Sequence, residues 1–242
     1  MKAFVVADVH GFYNEMIESL NAAGYEKDNP QHCFVSLGDL LDRGRQPREC
    51  LDFVNSIPDT NKILIRGNHE DLIEFCIRNG AFLRHDFHNG TVRTISDLTG
   101  IEYEECMYNQ SLACDAISKD EGLFTYLNSC INYFENNKLV FVHGWIPDKG
   151  TNWRDADEED WYNARWINGF KAWENGVVEK DKTIWCGHWH TSWAHERLHH
   201  EGTEWGEDAK FTPFEDVGIV GMDACTAHSG FVNCRKITRF KK

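Results

Sequence analysis

The segment Gly-Asp-Leu-Leu-Asp-Arg-Gly occupies residues 38–44, and Arg-Gly-Asn-His-Glu occupies residues 66–70. Each polar segment comes at the end of a short apolar run, residues 33–37 and 62–66, whose length and composition predict a buried strand. Residues 2–7 form a third run of the same kind. Apolar residues recur at helical spacing in the segments between and after these runs, which predicts a β-α-β-α-β-α order. This order favours parallel strands joined by right-handed crossovers. The sequence therefore predicts an α/β fold.

The rest of the chain is predicted to add a helical insertion, a loop-rich stretch and further strands to this α/β core. Residues from about 81 to 135 have a mostly helical pattern without a chemically suggestive cluster, so we expect a helical insertion within a single domain of residues 1–242. Residues 145–179 are rich in Trp, Asn and acidic side chains, which is typical of loops and short helices. The other predicted elements are helices at 13–23, from Pro47 and at 70–78, and strands at 138–143, 183–187, 217–222 and 230–237.

Net charge, hydropathy and cysteine spacing limit the partners and the location that the chain is expected to have. The chain has 242 residues and a formal net charge of −14 at pH 7, which disfavours long nucleic acids as partners but not a small anionic substrate. Its N-terminal apolar run is too short to cross a bilayer, so we expect a cytoplasmic location and no membrane partner. The nine cysteines include no Cys-x-x-Cys pair, which predicts reduced, buried thiols rather than metal ligands.

Side chains that can bind metal ions follow five of the predicted strands. In α/β sheets the carboxyl ends of strands are where ligands gather, so these residues are expected to lie along one rim. Mixed carboxylate and imidazole donors suit ions such as Mn, Fe or Zn, and a shared carboxylate can hold two of them. The residues are Asp8, His10, Asp39, Asn68, His143, His188 and His190.

These segments resemble the signatures of a known family. Asp-Val-His-Gly at 8–11, the segments at 38–44 and 66–70, and His-Gly at 143–144 resemble GDxHG, GDxVDRG, GNHE and HGG of bacterial and phage-type serine/threonine phosphatases in the phosphoprotein phosphatase family. Gly-His-Trp-His at 187–190 is similar to the GHxH motif of metallophosphoesterases in general. The resemblance implies a calcineurin-like metallophosphoesterase β-sandwich of mixed sheets, flanked by helices and carrying a small helical insertion.

The resemblance also implies a ligand for each position of a two-metal site. Mn is the favoured metal, with Fe or Zn as alternatives. The ions would share a water and provide a bridging hydroxide that attacks phosphorus in line. The implied ligands are Asp8, His10, Asp39 and His190 for one ion, and Asp39, Asn68, His143 and His188 for the other.

The remaining implied roles concern the substrate. Arg43 and Arg66 would bind its phosphate through their guanidinium forks. His69 would protonate the leaving oxygen as general acid, with Asp42 orienting the imidazole and raising its pKa. Many relatives carry a further phosphate-binding arginine, for which Arg165 is the candidate.

Each residue also has a structural interpretation. Asp8, Asp39 and Asp42 are of a type common in loops and helix caps, and Arg43 and Arg66 can be ordinary salt-bridge partners. Any one aspartate alone would favour that interpretation, whereas the whole set in this order favours the metal site.

Three positions depart from the family pattern. Ala7 replaces a Gly, Trp145 replaces the second Gly of HGG and can reshape the pocket wall, and many protein phosphatases lack a histidine at the position of His190. The last departure weakens the case for protein substrates more than the case for the metal chemistry.

Residues outside the matched segments receive structural predictions. Glu70 is expected to support the first turn of its helix. His195, His199 and His200 are expected in a solvated loop, with adventitious metal binding as the alternative. Trp145 and Trp189 adjoin predicted ligands, so we expect them to line the substrate cleft, with stacking on a nucleobase as the alternative.

Three functions remain open. The first is hydrolysis of phosphomonoesters, with phosphoserine or phosphothreonine in proteins as the implied substrate. The second keeps the same site but acts on diadenosine tetraphosphate, other nucleotides or RNA ends. The third is a non-catalytic binding module, which the full set of predicted ligands disfavours.

Overall fold

A computed structural model describes residues 1–148 and 152–242 of the chain. Two five-stranded mixed sheets, supported by helices, make up the fold, which confirms the predicted class. Within the described residues the strands are β1 Lys2–Val6, β2 His32–Ser36, β3 Lys62–Ile65, β4 Cys130–Ile131, β5 Phe134–Glu135, β6 Leu139–Phe141, β7 Thr183–Cys186, β8 Phe214–Asp216, β9 Ile219–Gly221 and β10 Cys234–Ile237.

The helices lie between these strands. The described part of the chain contains α1 Tyr13–Ala23, α2 Pro47–Ser56, α3 Asn68–Asn79, α4 Arg84–Asn89, α5 Thr91–Thr99, α6 Tyr103–Tyr108, α7 Gln110–Ile117, α8 Glu121–Ser129, α9 Glu158–Ala164, α10 Gly169–Glu174, α11 Thr191–His199 and α12 Thr226–Ser229. None of them combines the length and hydropathy that a bilayer-spanning segment needs.

The first sheet has the order β10-β1-β2-β3-β4 and carries the first three motifs. Its strands β1 to β4 are parallel, with Val5 opposite Val35 and Val35 opposite Ile63, whereas β10 is antiparallel. The crossovers through α1 and α2 match the predicted βαβ order. Because β1, β2 and β3 are parallel neighbours, their polar C-terminal segments emerge at one edge.

The second sheet has the order β5-β6-β7-β9-β8 and carries the other two motifs. Strands β6, β7 and β9 are parallel, and the edge strands β5 and β8 are antiparallel. Side chains from both sheets form a buried layer that includes Val5, Val35, Ile65, Phe141 and Met222. This shared core fixes the two motif-bearing edges relative to each other.

The helical insertion predicted for residues 81–135 is helical only in part. Helices α4 to α8 occupy it up to Ser129, but β4 then pairs with β3, and β5 pairs with β6. Two-residue strands have no periodicity that a sequence pattern can reveal, because tertiary pairing alone defines them.

Two further elements differ from the sequence-based expectation. His195 and His199 lie in helix α11 rather than in a solvated loop, and His200 caps it in a left-handed conformation. Strand β8 is a three-residue edge strand that was not predicted. The predicted loops and short helices of 145–179 include α9 and α10, while residues 149–151 of that stretch lie outside the described residues.

The edge strand β5 is held by charged side chains. Glu135 accepts hydrogen bonds from Arg154 and from Lys182, the latter at 2.5 Å, and Arg154 also bonds Glu179 at 3.0 Å. The bond from Arg154 is the main cause that lowers the pKa of Glu135 to about 2. This carboxylate therefore stabilises the edge in its ionised form.

Candidate metal centre

The loops at the sheet edges adopt an uncommon backbone conformation. Left-handed conformations cost about 1–3 kcal/mol for non-glycine residues and cluster at functional sites. The loops that follow β1 and β2 hold each other, since His10 N donates to Asp39 O at 2.9 Å and Gly44 N donates to His10 O at 2.7 Å. Six predicted site residues have φ between 49° and 73°, namely Asp8, His10, Asp39, Asp42, Arg43 and His188.

The motif glycines make room for the acidic ligands. A Cβ atom on Gly67 would lie 2.2 Å from Asp39 Oδ1, and one on Gly187 would lie 2.1 Å from Asp8 Oδ2. No side chain fits at such distances without displacing the carboxylate. The glycines of RGNHE and GHWH are therefore required by the close packing of loop backbone on the predicted ligands.

Asp39 lies at the centre of the site. Its Oδ1 is 3.3 Å from His143 Nε2, and its Oδ2 is 3.7 Å from His10 Nε2 and 3.8 Å from His69 Nε2. Among the described residues it joins two groups whose donor atoms lie within 4.8 Å of one another: one with His10 and His69, the other with His143 and His188. Burial raises the pKa of Asp39, but the neighbouring imidazoles outweigh burial and hold it well below its usual range.

Two imidazoles are fixed with their Nε2 atoms towards Asp39. His10 Nδ1 donates to the carbonyl of Leu41 at 3.0 Å, and His143 Nδ1 donates to the carbonyl of Leu37 at 2.7 Å. Such bonds at the second ring nitrogen orient metal-binding histidines. Asn68 Oδ1 lies 2.8 Å from His143 Nε2, so the amide oxygen points at the same space.

Asp8 is buried beside a carboxylate that the sequence analysis missed. Its two oxygens accept the backbone N–H of His188 at 2.9 and 3.1 Å. Burial, with the negative charges of Asp223 and Asp39, raises the pKa of Asp8 well above its usual range. Asp223 lies two residues after the end of β9, just as Asp8 lies two residues after the end of β1, so its position after a strand was the available signal.

His190 faces a different partner from the other predicted ligands. Its Nε2 donates to Glu204 Oε1 at 3.1 Å, and its ring lies 4.5 Å from that of Trp205. It belongs to neither of the two groups around Asp39 in the described part of the chain. Its role as a ligand stays a prediction, and no sequence signal marked Glu204.

His69 and Asp42 form a buried pair. His69 Nδ1 donates to Asp42 Oδ2 at 2.7 Å, and the hydroxyl of Thr91, from α5 of the insertion, donates to the same oxygen at 2.7 Å. Burial lowers the pKa of His69, but the Asp39 charge and the Asp42 bond outweigh it and raise the pKa. Arg43 Nη2 lies 3.3 Å from His69 Nε2. The Nε2 atom of His69 therefore faces the guanidinium group of Arg43 and the Asp39 carboxylate.

Arg66 and Arg165 are neutralised by carboxylates. Arg66 bonds Asp71 at 2.7 Å and Glu74 at 2.5 Å. Arg165, which is 2% exposed, bonds Asp71 at 3.0 Å and Glu158 at 2.5 Å. Both line a cleft of about 780 Å³. The alternative of an ordinary salt-bridge partner therefore describes Arg66 well in this structure, and Arg43 poorly.

The donor chemistry fits divalent cations. Asp8, Asp39 and Asp223 are buried near one another, and burial of several carboxylates is costly without a compensating positive charge. Oriented imidazoles and an amide oxygen complete a donor set that suits Mn, Fe or Zn. Fold and site together describe an α/β sandwich that carries side chains able to hold metal ions at one edge.

The match to a sequence family makes the assignment specific. Residues 1–220 match the calcineurin-like phosphoesterase family, so the chain belongs to that family of hydrolases. This confirms the class predicted from the motifs.

Curated relatives fall into two groups. The asymmetrical bis(5′-nucleosyl)-tetraphosphatase PrpE of Halalkalibacterium halodurans is 26% identical over 156 residues, 61% of this chain and 58% of that protein. The symmetrical bis(5′-nucleosyl)-tetraphosphatase of Psychromonas ingrahamii is 39% identical over 70 residues, 29% of this chain and 24% of that protein. The serine/threonine-protein phosphatase PP1-delta of Caenorhabditis elegans is 39% identical over 69 residues, 27% and 22% of the two chains. The matches thus span 22% to 58% of these relatives' lengths.

Solved structures share the fold. A cold-active protein-tyrosine phosphatase of a Shewanella species superposes with a TM-score of 0.54 at 14% identity, covering 94% of this chain and 72% of that one. A protein serine/threonine phosphatase from Saccharomyces cerevisiae superposes with a TM-score of 0.52 at 15% identity, covering 100% and 81%.

Proposed function

We propose that the chain hydrolyses phosphoesters with two divalent metal ions, for which Mn is favoured, in the cytoplasm. The observation that carries the proposal is the position of the Asp39 carboxylate, within 4 Å of three imidazole Nε2 atoms. The proposed ligands are those named from the sequence, with Asp39 shared. Bound in this way, the ions would supply Lewis acidity that activates water and neutralises phosphate oxygens.

The chain's own residues move the proton. His69 holds its Nδ1 proton against Asp42, so its Nε2 is the atom that can give a proton to the leaving oxygen. Thr91 shares the same Asp42 oxygen and keeps that carboxylate in place. His69 would act as general acid, and Asp42 and Thr91 as positioning residues.

Three arginines are proposed to receive the phosphate. Arg43 is next to His69 Nε2 at 3.3 Å, so a phosphate that it binds would present its leaving oxygen to the acid. To bind the phosphate, Arg66 and Arg165 must either release some of their hydrogen bonds to carboxylates or use N–H groups that are not engaged in those bonds. The Arg165 Nε group is buried without a hydrogen-bond partner among the described residues, so it would reach the substrate only after a movement of the side chain.

The first candidate substrate is a phosphoserine or phosphothreonine protein, supported by the serine/threonine phosphatase among the relatives. The second is a dinucleoside tetraphosphate, supported by the two tetraphosphatases. A specific observation favours the second: Trp166 is 41% exposed with its ring 5.9 Å from that of His188, and Trp205 is 50% exposed beside His190. Exposed rings next to the centre can stack nucleobases.

Catalysis is tested with p-nitrophenyl phosphate and Mn²⁺. The wild type should turn over the substrate only with metal, and Asp39→Asn should reduce turnover at least a hundredfold. The exposed Glu18→Gln is the matched acidic control and should retain wild-type turnover. If the wild type and Asp39→Asn behave alike, a non-catalytic role of this site is the better explanation.

The general acid is tested with leaving groups of different basicity. His69→Asn should keep its metal content and lose turnover mainly for alkyl phosphates, whose leaving oxygen needs a proton. Equal losses for alkyl and aryl phosphates would remove His69 from this role.

The substrate is tested with a phosphoserine peptide, diadenosine tetraphosphate and a 2′,3′-cyclic nucleotide under the same metal conditions. Dominant turnover of the peptide supports the first candidate, and dominant turnover of the dinucleotide the second. Trp166→Ala should lower kcat/KM for the dinucleotide about tenfold, because one stacked base contributes about 1–3 kcal/mol, and leave the peptide unaffected.

A further inference from the structure

A second cluster of metal-binding side chains lies outside the centre described above. His195 and His199 are one turn apart on the same face of α11, and Glu201 follows after the helix ends. One donor atom from each lies within 4.8 Å of the other two. We propose that His195, His199 and Glu201 form a separate Zn²⁺ site.

His195 supplies the strongest observation. The residue is 8% exposed, and its Nε2 donates to the carbonyl of Thr212 at 3.1 Å. That bond fixes the neutral tautomer with a free lone pair on Nδ1, which is buried and lacks a hydrogen-bond partner. Nδ1 faces Glu201 Oε2 at 3.7 Å. A buried acceptor nitrogen aimed at a carboxylate is stabilised when a cation lies between them.

Burial supports this protonation state. It is the main cause that lowers the pKa of His195, although Glu201 and the Thr212 carbonyl oppose it. Zinc binds neutral imidazole, so no proton has to be removed from this ligand near neutral pH.

His199 and Glu201 complete the donor set. His199 Nε2 donates to Asp216 Oδ2 at 3.0 Å, a carboxylate contact of the kind that orients zinc-binding histidines. Glu201 Oε2 accepts a bond from Lys210 Nζ at 2.8 Å. The ammonium group of Lys210 therefore already balances the carboxylate charge, and a bound ion would compete with it.

The spacing suits zinc after a small adjustment. Zn–N and Zn–O bonds of about 2.0–2.2 Å in a tetrahedron place donor atoms about 3.3 Å apart. The 3.7 Å between His195 Nδ1 and Glu201 Oε2 is close to this value, and the Glu201 side chain is 48% exposed, so a shift that weakens its bond with Lys210 can close the difference. Two histidines and a glutamate leave a fourth position for water.

The position of the site suggests a structural role. The segment that begins at Glu201 continues to Glu204 and Trp205, which contact His190 at the edge of the catalytic centre. An ion that joins α11 to Glu201 would anchor this segment. The two sites share no residue, so this proposal does not depend on the proposed function.

The test uses variants that separate zinc binding from folding. Equilibrium dialysis at buffered free Zn²⁺, followed by metal analysis, should give the wild type one equivalent more than His195→Gln/His199→Gln. His88→Gln, an exposed histidine on α4, is the control and should match the wild type. Equal stoichiometry in the wild type and the double variant would overturn the proposal.

Two exposed positions give a test in which folding is not at risk. Glu201→Gln should weaken the affinity of this equivalent at least tenfold, because a charged ligand is lost. Lys210→Met should strengthen it several-fold, because the competing ammonium group is gone. Competition with a chromophoric chelator measures both. If both single variants, Glu201→Gln and Lys210→Met, bind Zn²⁺ with wild-type affinity, Glu201 is not a ligand and the proposed site is overturned.

Discussion

Glu70→Ala is predicted to be among the most destabilising single substitutions in this chain. The Glu70 side chain is fully buried and accepts four hydrogen bonds, from the backbone N–H groups of Asp39, Leu40 and Gly67 at 3.0, 3.1 and 2.7 Å and from the Tyr126 hydroxyl at 2.9 Å. It thus joins the loops after β2 and β3 to α8 of the insertion. The sequence analysis assigned it only to the first turn of α3.

The magnitude follows from the donors that would lose their acceptor. A buried donor without a partner costs about 1–3 kcal/mol, and Glu70→Ala leaves four of them. Water that enters the vacated space would satisfy some, so we expect a loss of about 4 kcal/mol in the free energy of unfolding. For a chain of this size that corresponds to a Tm about 8–16 °C lower.

The assay is urea unfolding in EDTA, so that altered metal affinity does not contribute. Tyr126→Phe removes one of the four donors together with its hydroxyl, and should cost about 1 kcal/mol. Glu18→Ala, on the exposed face of α1, is the matched control and should change stability by less than about 0.5 kcal/mol. A loss for Glu70→Ala no larger than that for Tyr126→Phe would refute the assignment of Glu70 as the joint between the loops.

Three further outcomes are expected. Gly67→Ala should weaken metal binding at least tenfold in a calorimetric titration, because its Cβ would lie 2.2 Å from Asp39 Oδ1, whereas Gly122→Ala in α8 should bind normally. Glu135→Gln should lower Tm near neutral pH, and its difference from the wild type should shrink as the pH falls from about 4.5 towards about 2, since a carboxylate with a depressed pKa stabilises only while ionised; a constant difference would contradict this. Mn²⁺ at a hundred times its dissociation constant should add about 2.7 kcal/mol to the free energy of unfolding and so raise Tm. Asp39→Asn should lose most of this increase in Tm.

Much of the centre could be predicted because its parts are local in sequence. Asp39, Asp42 and His69 belong to short segments in which strand, turn and polar residue occur together, and each segment is long enough to be recognised. The parallel order of the strands then brings the segments to one edge.

The missed residues act across the fold rather than along the chain. Thr91 reaches Asp42 from the insertion, and Glu204, which follows α11, bonds His190, which precedes it. The sequence around Thr91 and Glu204 does not distinguish them from ordinary surface residues, because only tertiary packing brings them next to the predicted site residues. Asp223 differs, since its place two residues after strand β9 matches that of Asp8 after β1 and could have been recognised.

The centre also explains why the metal ions and the fold should be coupled. Left-handed loop residues and a group of buried carboxylates both raise the free energy of the folded chain, and the raised pKa of Asp8 reflects the second cost directly. A cation that binds these groups offsets the electrostatic part of that cost. Because the unfolded chain does not assemble the ligands, the binding free energy then adds to the free energy of folding. The residues proposed for catalysis would therefore be among those through which bound metal ions stabilise the protein.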